Sequence, residues 1–200
     1  MPKMFNPKDK YFQKAKDEGY RARSAFKLEA IQNKFHLIRL GDKVLDLGAA
    51  PGSFMQYIQK IVGDKGLVVG IDLKEIKPFK KLNAKSYVGD IFDEPVYRQI
   101  EQQTGVRRFD VITSDLASAT TGIKSVDAGR SFQLNEQVLE VAKKHLKSGG
   151  HVVIKAFPGA DHSQLIAIAK KQFKQVKPFK PEAVRRSSRE VYLIGLHMKS

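Results

Sequence analysis

The chain reads as an α/β protein built on a mostly parallel sheet with helices on both faces. Three observations predict this. Apolar runs such as "KVLDLG", "GLVVGIDL" and "HVVIKAF" are short and continuous, the pattern of strands buried on both sides. Stretches with helical periodicity alternate with them. Acidic residues recur at the carboxyl ends of successive strands, where sheets of this kind bind ligands.

Taken in order, residues 1–20 are polar and weakly patterned, a short helix or a loose arm. From Ser24 the residues Phe26, Leu28, Ile31 and Phe35 fall on one helical face, and Gly41-Asp42 breaks the chain before the strand "KVLDLG". A helix over "PGSFMQYIQKIVG", the strand "GLVVGIDL", a shorter strand "AKSYVGD" and the helix "EPVYRQIEQQT" follow. Next come the strand "FDVITSD", the long helix "GRSFQLNEQVLEVAKKHLK" and the strand "GGHVVIKAF". The helix "SQLIAIAKKQF" and two strands near 175–180 and 190–197 complete the chain. The organisation expected is a basic arm or helix over residues 1–22 and one domain over 23–200, acting as a monomer.

Of 200 residues, 42% are hydrophobic, an ordinary share for a globular chain, and no apolar run approaches the ~20 residues of a membrane span. The N-terminus lacks the apolar block of a secretory signal, and the absence of cysteine removes disulfides, thiolate metal sites and thiol nucleophiles. A cytoplasmic protein is expected. The net charge of +15 is unevenly spread. Residues 1–40 carry 10 Lys/Arg against 4 Asp/Glu and residues 164–200 carry 9 against 2, whereas 41–163 are nearly balanced at 17 against 15. Two basic ends folded onto one side would make a face for a phosphate backbone. The same charges alone would also fit a solubilising surface.

The chemistry concentrates at strand ends. "DLGAAPGSF" holds Gly48 and Gly52 in a spacing that matches neither the dinucleotide fingerprint nor the phosphate loop. Asp72 ends the second strand, placed to accept hydrogen bonds from ribose hydroxyls, with Asp90 and Asp115 at the ends of the next two. Each acid alone would serve as a helix N-cap. Lys155, in "HVVIKAF", alone would fit an edge strand with its ammonium reaching solvent. Together, acids at successive strand ends beside a glycine turn favour an adenosine-bearing cofactor.

This constellation resembles the S-adenosylmethionine-dependent methyltransferase fold, Rossmann-like and class I, with a mostly parallel seven-stranded sheet. Within it the chain is similar to the FtsJ-like ribosomal RNA 2′-O-ribose methyltransferases. The resemblance runs from about Tyr20 to Leu196 and includes "RARSAFKL", "VLDLGAAPGSF", "GIDL", "VGDIFD", "VITSDLA", "GGHVVIKAF" and "SSREVYLIG". It implies a catalytic set of Lys27, Asp115, Lys155 and Glu190. It also implies cofactor contacts from Gly48, Pro51, Gly52, Phe54, Asp72, Asp90 and Asp115. Two departures stand out: Ser53-Phe54 replaces a frequent glycine-tryptophan, and Ser118-Ala119-Thr120 replaces a stretch that usually contains proline. The implied substrate is a uridine in the A-loop of large-subunit rRNA, presented on a ribosomal particle. A tRNA anticodon-loop 2′-O-methyltransferase, or an RNA-binding assembly factor without turnover, are the alternatives.

The residues themselves agree with oxygen methylation. Covalent methylation of cytosine C5 needs a cysteine, and exocyclic amino methylation typically uses a [DN]-P-P-[YF] stretch where this chain has Asp115-Leu116-Ala117-Ser118. The five histidines make no metal-ligand spacing, so no metal is expected. Lys155 is expected to accept the 2′-hydroxyl proton or orient the oxygen, supported by Lys27 and Glu190, with Asp115 aligning it. RNA contacts are expected from Arg21 and Arg23 near the N-terminus, and from Lys177, Lys180, Arg185, Arg186 and Arg189 beside Glu190.

Overall fold

The computed structural model describes residues 10–117, 124–159, 162–185 and 187–200. Its elements in chain order are α1 (Lys10–Asp17), α2 (Ala25–Phe35), β1 (Lys43–Leu47), α3 (Ser53–Val62), β2 (Leu67–Asp72) and β3 (Ala84–Val88). There follow α4 (Glu94–Thr104), β4 (Phe109–Ser114), α5 (Lys124–His145), β5 (Leu146–Ala156), α6 (His162–Gln172), β6 (Phe173–Phe179) and β7 (Val191–Met198). The seven strands form one sheet in the order β3-β2-β1-β4-β5-β7-β6, in which β7 alone runs against its neighbours. The strand order reverses between β1 and β4, the crevice where such sheets bind ligands.

Successive side chains on a strand point to opposite faces, so the continuous apolar strands feed two cores. Val44, Val68, Val111 and Val153 pack on one face against Leu28 and Ile31 of α2 and Met55 and Ile58 of α3. Leu45, Val69, Ile112 and Val152 face the other way, toward α4, α5 and α6 through Ile100, Leu139 and Leu165. The doubly covered sheet expected from the sequence is therefore present. Helix ends obey local chemistry: α4 begins after Asp93 with Pro95 in its first turn, and it stops at Gly105, whose left-handed φ of 70° lets its N–H reach Glu101 O.

Boundaries moved where tertiary packing overrode local pattern. The long helix starts at Lys124 rather than Gly129, and its successor strand at Leu146 rather than Gly149. Phe173, which extends the apolar face of α6 in the sequence, instead opens β6. There it pairs with Met198 and is fully buried.

The two basic ends converge. Ala15 of α1, Phe26 of α2 and Ala183, just before β7, form a small separate cluster with Tyr11 and Tyr20 packed on it. The expected N-terminal arm is thus in part a docked helix, while residues 1–9 lie outside the described residues. No described helix is long and apolar enough to cross a membrane.

Close packing of β7 on its neighbours depends on one small residue. A Cβ on Gly195 would come within 2.7 Å of Val152 Cγ1 and 2.8 Å of the Phe173 ring. Gly195→Ala is expected to lower unfolding free energy by about 1–3 kcal/mol in urea denaturation. An unchanged midpoint would mean that β6 and β7 shift without strain.

Candidate active site

The turn after β1 carries backbone toward the crevice. Gly48 and Gly52 adopt φ of 72° and 101°, conformations that side chains rarely tolerate. A Cβ would also collide with Leu116 at the first and with Phe79 and Arg21 at the second. The turn is held to β2 from both sides: Gly48 and Ala49 donate their N–H groups to Ile71 O, and Ala50 donates to Asp72 Oδ2 at 2.9 Å. The other oxygen of Asp72 accepts from Lys74 N, and Asp90 Oδ1 accepts from Phe92 N. Asp72 and Asp90 therefore brace turns and cap neither α3 nor α4, whose N-caps are Gly52 and Asp93. Phe54 is buried in the core against the sheet, and Pro51 is exposed on the rim of the turn. Leu73, next to Asp72 in the chain, is 69% exposed.

Lys155 is not on an edge strand. β5 lies between β4 and β7, and the lysine is only 8% exposed. Its Nζ donates to Asp115 O at 2.5 Å and sits 3.1 Å from Asp115 Oδ1. The same Oδ1 accepts from the Tyr192 hydroxyl at 2.7 Å. Tyr192 is directly opposite Lys155 in the antiparallel β5–β7 register, so both side chains emerge on one face and meet at one carboxylate. A second pair stands nearby: Lys27 Nζ of α2 is 2.5 Å from Glu190 Oε1, and Ser188 Oγ donates to Glu190 Oε2 at 3.2 Å. Burial pushes the Tyr192 phenol well above its ordinary range, and Asp115, Glu190 and Asp46 raise it further. It therefore stays a neutral donor to Asp115.

The structure thus brings Lys27, Asp115, Lys155 and Glu190 to the carboxyl ends of β4 and β5, beside the glycine turn. Tyr192 was missed in the sequence because in "REVYLIG" it reads as one more apolar strand residue. Below the turn, Asp46 of β1 is 1% exposed and accepts from Thr113 Oγ1 at 2.7 Å. Among the described residues, no three His, Asp or Glu side chains gather as a metal site requires.

The basic residues split into two behaviours. Arg21 spans two loops, donating to Pro51 O at 3.1 Å and Pro78 O at 2.9 Å, with its guanidinium 4.2 Å from the Phe79 ring. It props the glycine turn as well as facing outward. Arg23 is half-buried, and Lys180 donates to Ser188 O beside Glu190. Lys177, Arg185 and Arg189 are exposed. Arg186 and the Ser118-Ala119-Thr120 stretch lie outside the described residues.

The comparisons with known proteins bear on this geometry. The family model of the FtsJ-like methyltransferases matches residues 20–198. The chain belongs to the FtsJ-like methyltransferase family. A curated relative from Syntrophobacter fumaroxidans, ribosomal RNA large subunit methyltransferase E, is 43% identical over 195 residues, covering 98% of each chain. The relative of the same name from Methanothermobacter thermautotrophicus is 41% identical over 96% of this chain and 90% of its own. Among solved structures, a ribosomal RNA methyltransferase from Plasmodium falciparum superposes with a TM-score of 0.81 at 27% identity, covering 90% of this chain and 98% of its own. Aeropyrum pernix fibrillarin shares the fold at a TM-score of 0.62 and 17% identity, covering 86% of this chain and 76% of its own. As a family member the protein is a methyltransferase whose cofactor is S-adenosylmethionine. The site fits that cofactor: two glycines at which a side chain would be strained and crowded open the turn, and acids stand at the adjoining strand ends.

One buried acid yields a pH test. Burial pushes the Asp46 carboxyl up to about 8, Asp115 and Asp72 add to this, and the Thr113 hydroxyl opposes it. The folded protein holds this proton to about pH 8, whereas the unfolded chain releases it near 3.8. Between those values the folded state binds more protons, so stability falls as pH rises and levels off above about 8. Asp46→Asn, which cannot ionise, is expected to gain on the wild type from pH 5 to pH 8, by on the order of a few kcal/mol. Urea denaturation at both pH values measures this, and a constant gap would mean an ionised Asp46 in the fold.

Proposed function

We infer that this protein transfers a methyl group to a ribose 2′-oxygen of large-subunit rRNA, with a uridine of the A-loop as its target. The observation carrying the reading is the pair of ion pairs at the strand ends, Lys155–Asp115, to which Tyr192 also donates, and Lys27–Glu190. The names of the curated relatives support rRNA as substrate.

S-adenosylmethionine, when bound, supplies a methyl on a positive sulfur, open to in-line attack by an oxygen. The protein's own residues handle binding, alignment and the proton. Gly48, Pro51 and Gly52 would let backbone approach the cofactor, with Asp72 accepting from ribose hydroxyls and Asp90 from the adenine edge. Phe54 would support the turn from within the core, and Leu73 would cover one apolar face of the base.

A ribose hydroxyl is a weak nucleophile and must be oriented and relieved of its proton. Asp115 O accepts one N–H of Lys155, and Asp115 Oδ1 faces the ammonium at ion-pair distance. As an ammonium Lys155 would orient the 2′-oxygen by donating to it; as the free amine, after losing a proton to solvent, its lone pair would accept the hydroxyl proton. Lys27 and Glu190 would hold the acceptor ribose from the α2 side. Asp115 and Tyr192 would keep the lysine aimed. Arg23, Lys177, Lys180, Arg185, Arg186 and Arg189 would bind phosphates around this pole, placing the nucleotide without reading its base. Arg21 would contribute through the turn that it props.

Lys155→Ala is expected to lower methyl transfer by about 10²–10⁴-fold while cofactor affinity is retained. Normal turnover in that variant would end the assignment. Asp72→Asn is expected to weaken cofactor binding by roughly tenfold or more, a loss of charge-assisted hydrogen bonding, with turnover at saturating cofactor little changed. Labelled S-adenosylmethionine incubated with separate rRNA, ribosomal-subunit and tRNA fractions, followed by mapping of the modified ribose, tests the substrate. Label confined to tRNA would replace the rRNA assignment.

A further inference from the structure

At the opposite end of the sheet from Lys155 lies a groove of about 580 Å³ between the last turns of α5 and α6 and the start of β4. Four cations line it, Arg108, Lys143, Lys171 and Lys199, against a single acidic side chain, Glu140. All four cations are exposed. Their neighbours behave differently: Lys144 is 3.5 Å from Glu94 and Lys147 is 2.6 Å from Asp110. Among the described residues Arg108, Lys143 and Lys171 have no such carboxylate partner, while Lys199 donates to the Lys170 carbonyl. The floor of the groove is closed by Leu146 and Met198, both buried.

We propose that this groove is a second RNA-binding surface, which holds the phosphate backbone of the substrate RNA at a distance from the target ribose. The inference rests on the reading of RNA as substrate. Its chemistry is charge complementarity: a concave row of cations suits a polyanion, and binding releases the counterions condensed on it. Its geometry sets the size of the ligand. Leu146 stands opposite Phe109 and Ile154 opposite Ser114, with β5 bulged between Leu146 and His151, so the two poles lie about 20 Å apart along the sheet. Only an RNA that extends beyond its target loop along the side of the molecule reaches both. The groove therefore selects a large folded RNA over a fragment that carries only the target loop.

A plainer role competes for two of these residues. Lys143 and Lys171 occupy the last turns of α5 and α6, where a positive charge offsets the helix dipole. That role predicts an effect on stability and none on RNA affinity.

The test uses the full chain with Lys143→Gln and Lys171→Gln combined, residues remote from the catalytic pole. Binding of protein-free large-subunit rRNA is measured across salt concentrations, with cofactor affinity and melting temperature as controls for folding. The variant is expected to bind roughly tenfold more weakly at ~50 mM salt, with the slope of log K against log salt reduced by about 1.5–2, as when two phosphates are no longer neutralised. Affinity for a minimal oligonucleotide that fills only the catalytic pole is expected to stay unchanged. An unaltered slope would assign the two lysines to their helix ends and overturn the proposal. A defect seen only with a protein-bearing ribosomal particle would assign the groove to a protein and overturn it equally. If the wild type itself shows no salt-dependent rRNA binding, or labels no rRNA, the underlying reading of the substrate falls first.

Discussion

A single carboxylate organises the proposed catalytic pole. Asp115, at the end of β4, receives the ammonium of Lys155 from β5 and the hydroxyl of Tyr192 from β7. A lysine that is 8% exposed would be a costly charge without a partner, and removing one member of a buried pair typically costs about 3–5 kcal/mol. The contact therefore ties the ends of three strands together. The antiparallel placement of β7 makes the contact possible. It puts Tyr192 opposite Lys155 and delivers Glu190, just ahead of the strand, to Lys27 of α2.

The cofactor side depends on a related economy of space. β1 and β4 stay paired to their last residues, and beyond them the glycine turn places backbone held by Asp72 and propped by Arg21. Both torsion and contact favour glycine there. Asp46 lies directly behind, kept neutral by burial. Three acids near one another would repel if all ionised, and burying one as a neutral group limits that repulsion. Charge is also sorted across the molecule. The basic ends are drawn together by the packing of α1 and Ala183 on Phe26, which brings distant parts of the sequence to the catalytic pole. A separate group of cations collects at the opposite end, contributed by α5, α6 and the loop before β4.

Much of this was legible in the residue order. Continuous apolar strands can only be buried on both faces, so the layering followed from local pattern, and strand ends marked where ligands sit. Asp72, Asp90 and Asp115 were singled out by that rule, and the resemblance gave Lys155 its expected role. Resemblance added Lys27 and Glu190, which no local signal distinguishes from surface charges on a helix and a loop. Phe173 was misassigned to the preceding helix because an aromatic residue suits the end of a helical face as well as a buried strand, and only its packing beside Met198 separates the two.

The sequence by itself determined the fold class, the crevice and the residue types available there, because periodicity and chain order are local properties. Only the tertiary structure decided who pairs with whom. Lys155 looked the same on an edge strand as in the sheet interior until β7 was inserted beside β5. Tyr192 looked like core until its hydroxyl met Asp115. Arg21 looked like a free cation until two loop carbonyls claimed it. Each of these depends on contacts between segments far apart in the chain, and such distances are set by packing rather than by pattern.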